Sequence, residues 1–182
     1  SAYNVPSIYQ VPLEYVREGL LDSIQNKLDL PEINILSPVS LRSKLQPWIR
    51  LNRQIKGCRH KIRLALVGKY VELEDSYYSV IEAIQHAGWY YSTTVEIVFV
   101  NVRDQKSTVE QLRGVHCILV PGGFGTTGME SIIASITYAR TNKIPFLGIC
   151  LGMQLSVIEF ARNVLNISNA SSKEFGKESD IF

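Results

Sequence analysis

From residue 61 onward, apolar positions alternate between short continuous runs and stripes of helical period. Residues 62–68 form a run that ends at Gly68 and predict a buried strand. Tyr77, Ile81, Ile84 and Ala87 recur at helical spacing, predicting a helix that stops near Gly88. Residues 95–100 predict a second strand, 109–112 a short helical turn, and 117–120 a third strand. Ile132, Ile133, Ile136 and Ala139 mark the next helix, 144–149 a fourth strand, and Leu151, Leu155, Ile158, Ala161 and Leu165 a helix beyond it. Strands alternating with helices imply right-handed crossovers, so the fold class is α/β: an open, mostly parallel sheet with helices on both faces. Loops after the strand carboxyl ends then share one edge, where such sheets place their sites.

The first sixty residues follow another rhythm. Pro12 opens one amphipathic helix with Leu13, Val16, Leu20, Ile24 and Leu28 on a stripe. That stripe has nothing in its own zone to pack against, so the helix reads as the last element of a preceding domain. Residues 31–60 read as a connector with Pro31, Pro38 and Pro47, in which Leu45, Trp48, Leu51 and Ile55 predict a short helix beginning near Pro47. The tail from Asn166 is polar and reads as loop. The expected division is a domain tail at 1–30, a linker at 31–60 and a truncated α/β domain at 61–182.

Composition narrows the class. A chain of 182 residues, 46% hydrophobic, can bury one good core plus an appendage. The formal charge is only +2, but nine Lys/Arg lie between Ile33 and Val71 with no acid among them. Such a block marks an anion-binding surface, a solvated face or a contact with an acidic neighbour. Without an interleaved aromatic ladder or a base-reading motif it does not point to nucleic acid. Three cysteines, Cys58, Cys117 and Cys150, show no framework spacing and suit a reducing compartment. Asn166 and Asn169 match the glycosylation pattern, yet no signal peptide or apolar run of membrane-spanning length accompanies them. The expectation is a soluble cytoplasmic protein without membrane partners or a metal site.

The candidate chemistry sits at two strand ends. Gly148-Ile149-Cys150-Leu151-Gly152 places a cysteine between an apolar run and a helical stripe, the order of a nucleophile elbow. Glycines two positions either side matter because side chains there would collide with the turn or the substrate. The helix start would aim free N–H groups at the sulfur. After the third strand comes Pro121-Gly122-Gly123-Phe124-Gly125, one crossover away and therefore alongside. The N–H groups of Gly123 and Leu151 would then form an oxyanion site. The alternatives are a buried structural cysteine and a plain tight turn or phosphate cradle.

These motifs, with Val67-Gly68-Lys69-Tyr70, resemble the glutaminase (class I glutamine amidotransferase) domain of the CTP synthase family, a flavodoxin-like fold. Asp75-Ser76-Tyr77, Ser79-Val80-Ile81-Glu82-Ala83, Asn169-Ala170 and Lys173-Glu174-Phe175 extend the resemblance. Asn4 to Tyr9 and Val11-Pro12-Leu13 look like the end of that family's amidoligase domain, so the resemblance spans nearly the whole chain. It implies glutamine hydrolysis at a Cys-His-Glu triad, with ammonia passed to an ATP- and Mg2+-dependent site that aminates UTP to CTP. Cys150 matches the nucleophile; Gly123, Leu151, Gly152, Met153 and Gln154 match the oxyanion and glutamine-binding segment; Glu174 matches the carboxylate that holds the substrate amino group. The implied partners are L-glutamine, the amidoligase domain and further copies in a homotetramer.

The departures are specific. The family's His-x-Glu pair has no counterpart here, and His60, His86 and His116 lie outside any matching position. The expectation is a chain inactive alone. No Gly-x-x-x-x-Gly-Lys-Ser/Thr loop is present, so no nucleotide cofactor is expected in this chain. Thr127 stands where the family carries an arginine linked to GTP activation, so that response is not carried over. The rival readings are the glutaminase of another class I amidotransferase and a non-catalytic regulatory or assembly module on the same fold.

Overall fold

The computed structural model describes residues 4–30, 38–71 and 74–175. The chain forms two compact units, one running to Arg59 and including Trp89–Ser92, the other comprising His60–Gly88 and the chain from Thr93 onward.

The first unit is helical. The single helix expected near Pro12 is two: α1 (Val11–Arg17) and α2 (Leu20–Lys27). Gly19 makes the break. At φ 70° it adopts the left-handed conformation that glycine takes without Cβ strain, and it caps α2. Its carbonyl accepts from both the amide and the hydroxyl of Ser23. The helix expected to begin near Pro47 instead spans Pro38–Lys56 (α3), with Pro47 inside it. A proline there removes one ladder bond, to the Ser43 carbonyl. Asn52 helps hold this part of α3, donating from Nδ2 to the carbonyls of Tyr9 (2.6 Å) and Trp48 (2.9 Å). Lys44, Arg50, Arg53 and Lys56 are exposed, so their part of the basic block is a solvated face. Pro31 lies outside the described residues.

The second unit carries a four-stranded parallel sheet. Strand β1 (His60–Gly68) leads through α4 (Tyr78–Tyr90) to β2 (Thr93–Asn101). Helix α5 (Gln105–Gln111) leads to β3 (Cys117–Val120), and α6 (Met129–Thr141) to β4 (Phe146–Gly148). Helix α7 (Leu151–Asn163) follows at once. The strand order is β2-β1-β3-β4, with Leu66 paired to Leu119, and Leu119 in turn to Leu147. Successive side chains point to opposite faces. Ala65, Val67, Ile118 and Val120 pack into one core with Ile132, Ile136, Leu155 and Ile158. Leu66 and Leu119 pack into the other with Tyr77 and Ile84. Both faces are covered, as the α/β reading requires.

Five local expectations change. Helix α4 continues two residues past Gly88, to Tyr90; a Cβ on Gly88 would lie 2.7 Å from the Thr93 carbonyl oxygen, so this glycine serves close approach to β2. The short turn expected at 109–112 is a capped helix, with the Asp104 carboxylate accepting from the amides of Lys106 and Ser107. Strand β4 is shorter than 144–149, although pairing bonds continue beyond it from Ile118 N–H to the Pro145 carbonyl and from Ile149 N–H to the Val120 carbonyl. Helix α7 ends at Asn163, before Leu165. The tail beyond is only partly loop. Ala170, Ser171 and Phe175 are buried, Phe175 in the main core, and Arg162 Nε donates to the Ala170 carbonyl at 2.7 Å.

Candidate active site

The elbow is built by backbone contact. A Cβ on Gly148 would lie 2.5 Å from the carbonyl carbon of Gly152, and one on Gly152 would run into the Val120 carbonyl oxygen. Only hydrogen fits at either position, so β4, the turn and α7 fold back on one another as tightly as backbone allows. Cys150 stands at the apex with φ 53° and ψ −108°, outside the conformations an L side chain favours. It caps α7 and is exposed. Strain of this kind, on the order of 1–3 kcal/mol, clusters at sites where a side chain must be aimed.

The turn after β3 lies against the sulfur. A Cβ on Gly122 would be 3.6 Å from Cys150 Cβ and 4.0 Å from Sγ, and one on Gly123 would be 3.2 Å from Leu151 Cδ2. Among the described residues, the N–H groups of Gly123 and Leu151 have no hydrogen-bond acceptor. Two unused donors therefore stand on the two segments that flank an exposed thiol. Leu151 and Gly152 are buried and Met153 is exposed.

Gln154 lies one helical turn on, its N–H donating to the Cys150 carbonyl at 3.0 Å. Its Nε2 donates to Glu174 Oε2 at 3.1 Å. Glu174 sits in a short 3-10 turn, Lys173–Phe175, pinned by the buried Phe175. The tail's return to the core is what brings this carboxylate to the nucleophile's helix.

The histidines stand elsewhere. His60 opens β1 and His116 precedes β3, both at the amino edge of the sheet. His116 Nδ1 accepts from Arg63 N–H at 2.9 Å, a structural bond. His86 lies on α4 with Nε2 3.9 Å from Glu82. Thr127 is exposed in the loop before α6.

Reading the sequence alone missed the place of Lys69. Its ammonium donates to the Phe124 carbonyl at 3.0 Å and to that of Gly125. The signal that finds it is strand order. β1 and β3 are neighbours whose crossovers leave in opposite directions, which opens a crevice between their carboxyl ends. Among the described residues, no three His, Cys, Asp or Glu cluster as metal ligands, and no helix is long and apolar enough to cross a membrane.

Comparison with known proteins bears on the family and the fold. A family model described as glutamine amidotransferase class-I matches residues 72–181. The chain is 44% identical over 173 residues to a CTP synthase of Lactobacillus acidophilus, covering 94% of this chain and 31% of that protein. It is 47% identical over 175 residues to a CTP synthase of Wolinella succinogenes, covering 96% and 30%. The chain thus spans about three tenths of the length of these curated relatives. A solved structure described as the Trypanosoma brucei CTPS glutaminase domain with bound acivicin superposes with a TM-score of 0.62 at 38% identity, covering 66% of this chain and 48% of that one.

Proposed function

The chain belongs to the class I glutamine amidotransferase family, and from that premise we propose that it is the glutamine-hydrolysing part of a CTP synthase. The observation that carries this reading is the exposed Cys150 on its strained elbow, beside two N–H donors without acceptors. In the proposed reaction the Cys150 thiolate attacks the carboxamide carbon of L-glutamine, and the carbonyl π electrons move onto oxygen. The Gly123 and Leu151 N–H groups hold that oxyanion; losing one such donor costs roughly 3–4 kcal/mol. On collapse the amide nitrogen takes a proton and leaves as ammonia, and water then releases glutamate from the thioester. Glu174, steadied by Gln154, takes the substrate's ammonium group.

None of His60, His86 and His116 stands at the carboxyl edge, so the proton relay comes from outside the described residues. In the whole protein, ammonia reaches an amidoligase domain that uses ATP and Mg2+ to convert UTP to CTP, in a cytoplasmic homotetramer. Activation by GTP is not assigned, given Thr127.

The test uses the full-length protein. Cys150→Ala removes CTP formation supported by glutamine and leaves CTP formation from added ammonium salt. Undiminished glutamine-supported synthesis in that variant contradicts the reading.

A further inference from the structure

The loop at 121–125 has little of its own to hold it. Phe124 is 80% exposed, Gly125 to Thr127 are exposed, and its glycines contribute no side chains. Yet an oxyanion donor is useful only if it is already in place when charge develops. Something must fix Gly123. The loop's one described tie to β1 is the Lys69 ammonium, which reaches across the β1/β3 crevice to two successive carbonyls, those of Phe124 and Gly125.

We propose that Lys69 is a positioning residue for glutamine hydrolysis: its ammonium anchors the 121–125 loop through the Phe124 and Gly125 carbonyls and so holds the Gly123 N–H over Cys150. The inference rests on the reading of Cys150 as the glutaminase nucleophile. Three features support it. The anchor is placed on carbonyls, where an ammonium offers several donors and loses nothing to side-chain disorder in a partner. Among the described residues, the partners of the Lys69 ammonium are these two loop carbonyls. And the side chain is half-buried, with desolvation drawing its pKa below the ordinary lysine value. Lys69 touches neither the thiol nor any reacting atom; it acts through the loop.

The test compares two electrophiles on the same thiol. A γ-chloroketone analogue of glutamine reacts through a tetrahedral adduct whose oxygen needs the Gly123 donor, whereas iodoacetamide alkylates sulfur by direct displacement and needs none. Lys69→Met is expected to slow Cys150 modification by the chloroketone about tenfold or more, with the iodoacetamide rate changed less than about threefold. Lys69→Arg, which can still donate to both carbonyls, restores most of the chloroketone rate. Hydrogen exchange should quicken at 122–125 and not in β1 or β3. Lys69→Gln serves if the methionine variant unfolds, with an intermediate effect expected. Equal slowing with both reagents, or no slowing with either, overturns the positioning role while leaving the nucleophile assignment standing. If the unaltered protein shows no preference of the chloroketone for Cys150, the glutaminase reading falls, and this inference with it.

Discussion

The conformation of Cys150 makes sense through its task. Its positive φ with ψ −108° is strained for any side chain, and the strain is held by Gly148 and Gly152, which leave no room for Cβ atoms. Replacing Cys150 with glycine should therefore relieve the turn. We expect Cys150→Gly to gain about 1 kcal/mol in denaturant unfolding while abolishing thiol chemistry, the reverse of an ordinary large-to-small change. A loss of stability would mean the elbow is not strained. At this scale the sequence was generous. The Gly-x-Cys-x-Gly spacing announces both the nucleophile and the two close approaches, because only glycine satisfies them. Lys69 was not legible, since a lysine after a strand has many uses and its target lies 55 residues along the chain.

Between elements, the most consequential polar contact joins α6 to α7. Glu159 is buried, and its carboxylate accepts from Arg140 Nε and Nη2, Thr137 Oγ1 and Asn163 Nδ2. Burial alone would raise its pKa, but the bonds from Arg140, Asn163 and Thr137 outweigh it and hold the group below the ordinary glutamate value. A depressed carboxylate stabilises the fold fully above the unfolded value, near pH 4.3, and that contribution is lost as pH falls through the folded value. Glu159→Gln should cost about 2 kcal/mol at pH 7, less than a fully buried pair because Arg140 is 37% exposed, and should flatten the acid limb of a stability-pH curve. An unchanged acid limb would show that another carboxylate governs it. Periodicity located α6 and α7 well, because each buries a regular stripe. It could not see the break at Gly19 or the passage of α3 through Pro47. Both stripes keep their phase across the irregularity, so the apolar pattern carries no trace of it.

For the molecule as a whole, the α/β alternation was written in the sequence but the strand order was not. Runs and stripes say which segments are strands; they do not say that β3 pairs with β1 on the side away from β2. That order sets the 121–125 loop between Lys69 and Cys150 and makes two distant motifs one site. The return of Phe175 to the core is likewise tertiary. A single aromatic in a polar tail gives no periodic signal, yet it delivers Glu174 to Gln154. The most direct measurement is a cysteine-resolved alkylation time course with and without L-glutamine. Cys117 is retarded because burial raises its thiol pKa, and Cys58 donates to the Gln54 carbonyl. Cys150 should be modified first, and L-glutamine, but not D-glutamine, should protect it alone. Equal modification of all three thiols, or no protection at position 150, would contradict the account.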